Sequence, residues 1–342
     1  MNRINWIDTA KGIGILLVVL GHTSIPSNLE SWIYSFHMPL FFFLSGFLFK
    51  ESKYPTMIIF LKKKVQTLLI PYFAFSLLTY LFWAVILNNI GASSSKWYIP
   101  LIGIFYSNGT DQWMLHNTPL WFLTCLFVVE LLYYSLTKLT LNKTTIVVFL
   151  LTSSIIGYLD SLYAPIRLPW SIDVAFTALV FFGFGKLLSS KEFKMFNLPS
   201  KYKAILIVLL LTINVISIEQ KIDMNYNTYG NYFNFYIASF SGIFALLLIS
   251  QLLPRIGFVS FLGINTLIIL SLHKVLIPII DKVFSVLMNG FTPGTLMWGV
   301  SVSVCTILIL IPTIMIINKY FPYLIGRTSH SKYNSSKKPK SA

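Results

Sequence analysis

The sequence predicts an all-α integral membrane protein, a polytopic bundle of about ten transmembrane helices with both termini in the cytoplasm. Three observations predict it. The first is composition: of 342 residues, 56% are hydrophobic and only 11% charged, whereas a soluble domain carries about 25% charged residues. The second is segment length. Apolar runs of about 20 residues, enough to cross a hydrocarbon core, recur along almost the whole chain. The alternating segments of about ten residues that a transmembrane barrel would show are missing. The third is the placement of lysine and arginine, taken up below.

The first span, 6–24, is WIDTAKGIGILLVVLGHTS. With Arg3 ahead of it, this run imitates a secretion signal. Asp8 and Lys11 lead into it, however, GHTSIPS makes a poor cleavage site, and a second apolar run follows at once. It therefore reads as an uncleaved helix. The second span, 31–49, contains Pro39, and the third, 68–87, starts near Pro71. Prolines at such depth are tolerated where neighbouring helices satisfy the freed backbone groups, and the same holds for Pro312. The remaining spans are 119–137, 144–160, 170–188, 203–218, 231–252, 258–280 and 295–317. The stretch 88–118 is the longest between spans, and its apolar part, IPLIGIFYSNGTDQWMLHNTPLWF, suits a segment that dips back into the membrane. The chain divides into a membrane domain, 1–327, and a Ser/Lys-rich tail, 328–342, with the composition of a disordered segment. His330 lies in that tail and has no assigned role.

With the N-terminus inside, only Lys96, Arg167, Lys221, Lys274 and Lys282 of the 26 basic residues fall on the outer side. That bias fixes orientation, because positive charge gathers in cytoplasmic loops. It also accounts for the net charge of +15 without a nucleic-acid partner. Cys125 and Cys305 sit within apolar runs and read as packing residues rather than a disulfide.

Ionisable residues inside spans are expensive and mark function. Four of them fall at one depth. His22 is near the outer end of the first span, and His37 is about two turns into the second from outside. Asp173 opens the sixth span. His273 lies well up the ninth. On a rise of about 1.5 Å per residue, all four belong to a layer ~5–10 Å below the outer surface. Each has a plainer reading: helix–helix hydrogen bonding for the imidazoles, helix capping for Asp173. His116, in the outer loop, is a weaker candidate for contact with substrate. Glu130 lies near the bilayer middle, too deep to reach water, and must be paired or protonated.

Lys11 and His22 are about 16 Å apart along one helix, close to the reach of an extended pantetheine arm. A phosphate-rich head held by Lys11 and by Lys62, Lys63 and Lys64 on the cytoplasmic face would bring a thioester to the outer imidazoles. Ordinary positive-inside charge also explains the lysine cluster.

The opening WIDTAKGIGILLVVLGH, followed by FHMPLFFFLSGFLF, resembles the membrane-bound acyltransferase 3 family, in particular its fucose-4-O-acetylase-like and polysaccharide-modifying members. The likeness continues through LLIPYFAFSLL, PLWFLTCLFVVELLYY, LPWSIDVAFTALVFFGFGKLL and LGINTLIILSLHKVL. It implies a multi-pass protein of the bacterial plasma membrane. The donor would be cytoplasmic acetyl-CoA, or succinyl-CoA. The acceptor would be a hydroxyl of a surface glycan, such as capsule or exopolysaccharide, or of a lipid-linked oligosaccharide. Lipid is the other partner, no metal takes part, and a homodimer is compatible. Lys11 occupies the position of the family's first-helix Arg, which keeps the charge but loses the bidentate fork. His22 occupies the position of its His. Thr67 stands where a second Arg is common.

Acyl transfer to a hydroxyl needs a base and a stabilised oxyanion. His22 is the expected base, or a transient acyl acceptor. Asp173 or Glu130 would orient an imidazole, and His37 and His273 would orient or bond substrate. Trp121 offers an aromatic wall for a sugar face. The turn 23–31 and the loop 88–118 form the expected acceptor surface. The rival class is a transporter or flippase exporting a glycan or lipid, which more often carries internal repeats and broken helices; no repeat is visible. A structural assembly subunit would leave the histidine layer without a reason.

Overall fold

The computed structural model describes residues 5–87, 96–110, 113–139, 142–189, 197–254, 256–287 and 292–327. Arg3, Lys191, Lys194, Arg255 and the tail 328–342, with His330, lie outside the described residues, as do parts of the loop 88–118. Among the described residues fourteen α-helices follow one another: α1 (Asn5–Gly21), α2 (Ser27–Tyr34), α3 (His37–Leu48), α4 (Met57–Lys64), α5 (Ile70–Phe82), α6 (Tyr98–Tyr106), α7 (Trp121–Leu139), α8 (Lys143–Tyr163), α9 (Ile172–Ser189), α10 (Ser200–Ile216), α11 (Tyr232–Leu252), α12 (Gly257–Ile264), α13 (Thr266–Leu287) and α14 (Leu296–Tyr320). Among the described residues the one strand-like feature is an isolated bridge between Asp223 and Thr228.

Seven helical segments are long and apolar enough to cross a membrane, and α12 with α13 makes an eighth if that pair, bent by 86°, is one span. Length and composition thus support seven or eight of the ten expected spans. The other two, α1 and α10, have 17 residues each, about 26 Å of helix, at the short limit for a crossing.

The second expected span is not one helix. It begins at Ser27 and breaks at Ser35 and Phe36, where Phe36 leaves helical geometry (φ −143°, ψ −13°). Pro39 is the cause. It has no N–H to give the carbonyl four residues back, and its ring crowds that carbonyl. The freed oxygen is that of Ser35, and the hydroxyl of Ser239 on α11 donates to it at 2.6 Å. The Asn214 amide on α10 donates to the Ser35 hydroxyl at 3.1 Å and to the Ala238 carbonyl at 2.7 Å. The break therefore places His37 at the start of a helix, and buried polar groups from α10 and α11 hold it there.

Two helix pairs meet backbone to backbone. A Cβ on Gly12 of α1 would lie 2.1 Å from the Val259 carbonyl oxygen of α12, and one on Gly263 would lie 1.9 Å from that of Asp8. Gly46 of α3 and Gly185 of α9 stand in the same relation to the carbonyls of Phe182 and Phe43. Small residues permit this close approach where lipid supplies no hydrophobic drive between helices. Around these contacts Leu40, Phe42, Phe43, Phe181 and Phe182 are fully buried.

The bundle has two chemically distinct ends. At one, Lys186 pairs with Glu51 at 2.7 Å, Lys138 donates to the Pro55 carbonyl at 3.1 Å, and the Tyr134 hydroxyl donates to that of Tyr54 at 2.7 Å. This basic end also holds α4. The opposite end gathers the turn after α1, α2, the loop between α10 and α11, and the approach to α7 around one cavity.

Candidate active site

Three histidines reach the cavity end from three helices, and each is held in the same way. The Nδ1 of His22 bonds the Val18 carbonyl at 2.8 Å, that of His37 the Ile33 carbonyl at 2.8 Å, and that of His273 the Ile269 carbonyl at 2.9 Å. A carbonyl can only accept, so each Nδ1 carries the hydrogen and each neutral ring keeps its lone pair on Nε2. The partner is always the residue four positions back, which for His37 means a carbonyl of α2 across the break. The rings are also in mutual contact. His22 and His273 lie edge to face with centroids 4.9 Å apart, and Tyr34 bridges His37 at 4.8 Å and His22 at 6.2 Å.

A cavity of about 280 Å³ opens beside them. His22, His37, Tyr34 and Trp121 line it, with Val18, Met38 and Leu270 at its apolar side. Lys274, next in sequence to His273, adds a positive charge. The loop between α10 and α11 supplies a largely polar wall of the same cavity, with Lys221, Asp223, Met224, Asn225 and Tyr226. At the mouth Lys221 pairs with Glu30 at 2.7 Å, and its ammonium lies 4.9 Å over the Tyr34 ring.

The two carboxylates expected to orient an imidazole have other partners. Asp173 is fully buried and paired with the guanidinium of Arg167, while its second oxygen accepts from the Val174 N–H at 3.0 Å. Arg167 passes the connection onward, donating from Nη1 to the Asn225 carbonyl at 2.8 Å. Asp173 thus braces the cavity's polar wall. Trp170 and Ser171, between Arg167 and Asp173 in the chain, and Ser107, whose carbonyl accepts from the Ser171 hydroxyl at 3.5 Å, have φ of 58°, 51° and 51°; residues other than glycine hold such angles only where the surroundings over-determine them. Glu130 lies towards the basic end and pairs with Lys64 at 2.8 Å.

Lys64 is accordingly set apart from its neighbours. Its ammonium is enclosed by the rings of Phe49, Tyr54 and Phe60, at 5.5, 5.4 and 5.9 Å. Lys62 and Lys63 are exposed, and Lys63 donates to Gln66 at 3.3 Å. Lys11 is half-buried on α1, between this end and the cavity. His116 does not line the cavity. It is buried against Tyr80, ring centroids 6.0 Å apart, with both nitrogens lacking a hydrogen-bond partner, and burial pushes its imidazole down to about 4.

Asp223, Tyr34 and the Lys221–Glu30 pair did not emerge as candidates from the sequence. The signal for Asp223 was present in SIEQKIDMNYNTYGN, a polar insertion between two apolar helices whose Asp and Asn residues favour local turns.

A family described as an acyltransferase domain, the acyltransferase 3 family, has a model that matches residues 4–316. No curated protein and no solved structure matches the chain.

Proposed function

The chain belongs to the acyltransferase 3 family of membrane acyltransferases, and from that premise we propose that it moves an acyl group, most simply acetyl, from cytoplasmic acyl-CoA to a hydroxyl of an extracytoplasmic glycan. The cavity end then faces outward and the basic end inward, in keeping with the lysine bias of the loops.

The observation that carries this reading is the state of His22. Its ring lines the cavity, and its Nδ1 hydrogen is committed to the Val18 carbonyl. Nε2 is left as a base in a helix-fixed position, which is the requirement for general-base catalysis. The acceptor hydroxyl gives its proton to Nε2 as its oxygen bonds the thioester carbon. The carbon–sulfur bond then breaks, and the proton passes from the imidazolium to the departing sulfur. The products are an ester and the CoA thiol. His273 behind His22, and His37 beside Tyr34, hold the base in an environment of neutral rings. Lys274 brings positive charge towards the developing oxyanion. Trp121 presents an aromatic face to the acceptor sugar.

On the donor side, Lys11, Lys62 and Lys63 suit the phosphates of CoA, while Lys64 is engaged by Glu130. The cavity lining ends at Val18, Met38, Trp121 and Leu270. The levels below it on α1 and α3 are filled by the buried Ile15, Leu40 and Phe42. Entry of the pantetheine arm from the basic end therefore requires these side chains to part.

The test compares cells with and without the protein. Surface glycan should carry alkali-labile ester groups, seen by mass spectrometry, only when the protein is present, and isolated membranes should consume acetyl-CoA. Movement of unmodified glycan with indifference to CoA would instead identify a transporter.

A further inference from the structure

The cavity's polar wall comes from one loop, and that loop is fixed from several directions. Asp223 and Thr228 exchange backbone hydrogen bonds at 2.8 and 3.0 Å. Arg167, braced by Asp173, donates to the Asn225 carbonyl, and the Asn225 amide donates to that of Gly109 at 2.6 Å. The Asn227 amide donates to Asp160 on α8 at 2.8 Å. A segment tied to α8, α9 and the stretch after α6 is a rigid wall, and a rigid wall can hold a ligand in register with a reactive group.

We propose that Asp223 positions the acceptor: its carboxylate accepts a hydrogen bond from a sugar hydroxyl adjacent to the one that meets His22, and the acceptor is a neutral pyranoside presenting two neighbouring hydroxyls. The proposal deepens the acyl-transfer reading and rests on it.

Four features support it. Asp223 and His22 line the same cavity. The loop orients the carboxylate without exhausting it. It accepts the Asn225 N–H at 2.9 Å and the Tyr226 N–H, and a carboxylate has about four lone-pair sites over its two oxygens. Asp223 is half-buried, which pushes its carboxyl up to about 6 against the pull of the Asn225 N–H and Lys221, and a hydrogen bond discriminates better there than in open water. The size and charge of the cavity also fit. About 280 Å³ is at the low end for ligand pockets, which run from roughly 300 to 1,000 Å³, and suits one sugar ring. Lys221 is neutralised by Glu30 and Lys274, the other cation of the lining, is the one that serves the oxyanion, so a uronate would bring its charge beside Asp223.

The test uses the full-length chain in lipid nanodiscs with radiolabelled acetyl-CoA. The acceptors are methyl galactopyranoside and methyl glucopyranoside, their singly deoxygenated analogues, and the corresponding uronates. The expected result is label transfer to a neutral glycoside. Asp223→Asn should raise the acceptor KM about 10–100-fold, the loss of one hydrogen bond to a charged group, with the KM for acetyl-CoA unmoved. Removing the hydroxyl that Asp223 holds should weaken the wild type and leave Asp223→Asn indifferent, a pattern that a merely structural role would not give. Asn keeps an oxygen for the Asn225 N–H, and Asp223→Glu, which restores the charge, should recover part of the affinity. An unchanged acceptor KM in Asp223→Asn, preference for the uronates, or acetyl-CoA consumption without label on any pyranoside would each overturn the proposal while leaving acyl transfer standing. Failure to consume acetyl-CoA at all would remove both.

Discussion

His22 and His273 meet edge to face, ring centroids 4.9 Å apart, yet neither gives its hydrogen to the other. Each directs Nδ1 to a carbonyl of its own helix. In the neutral state of each ring the remaining nitrogen is an acceptor. Such a pair has no internal hydrogen bond to break when a proton arrives, and both rings face the same demand for one.

If His22 is the base, His22→Ala should lower acyl transfer about 100- to 10,000-fold, the usual contribution of a general base. The protein should still be extracted and elute as the wild type does, since the ring reaches its helix only through the Val18 carbonyl. Turnover of acetyl-CoA in the variant at the wild-type rate would remove His22 from the chemistry.

Acceptor binding should depend on pH through Asp223. Burial raises its carboxyl from 3.8 to about 6. The groups facing it are Glu30 and Tyr34 on α2, His22, His37, Lys274, and Lys221 and Tyr226 of its own loop. Above about pH 6 the carboxylate is ionised and accepts strongly; as the pH falls through that value it is neutralised, and the acceptor KM should rise. Stability runs the other way. The folded chain binds this proton more tightly than the unfolded chain does, so the contribution is fully present below about pH 4 and lost as the pH rises through about 6. A KM profile of Asp223→Asn that kept the same acidic limb would assign the limb to another group.

Lys11→Arg should keep or lower the KM for acetyl-CoA, because guanidinium retains the charge and adds the fork that suits phosphate. A rise of tenfold or more would show that Lys11 does not serve the donor, and substrate-dependence curves at fixed acceptor would decide it.

Glu130→Gln should be costly to stability. It leaves the Lys64 ammonium among Phe49, Tyr54 and Phe60 without its counter-charge, a loss of about 3–5 kcal/mol for a buried pair. Lys64→Met combined with Glu130→Gln should recover much of it. Thermal unfolding in detergent reads both variants, and equal midpoints for Glu130→Gln and wild type would mean that the pair is neutral in effect.

Hydropathy and helical rise were enough to find seven or eight spans among the described residues and to bring His22, His37 and His273 towards one end of the bundle, because depth along a helix follows from counting residues. The direction in which a side chain points around its helix does not follow from counting. Asp173 was expected beside an imidazole, but its neighbour is Arg167, six residues earlier in the chain and across a strained turn. Glu130 needed a partner, as its depth required, and found Lys64 on a helix distant in sequence. The break before His37 was foreshadowed by Pro39, whereas the hydroxyl that satisfies the freed carbonyl comes from Ser239 on α11. Asp223 was hidden for a different reason: a loop has no period, so nothing in its sequence says which way it folds back.

The contact of Gly12 and Gly263 with the carbonyls of Val259 and Asp8 has a mechanical consequence. Two helices seated main chain against main chain cannot slide past one another by a fraction of a turn without a collision. α1 is thereby moored near its start, and the height of His22 at its far end is set by a fixed length of stiff rod. Opening a passage for the donor must then fall to the helices around α1, while the base stays where it is.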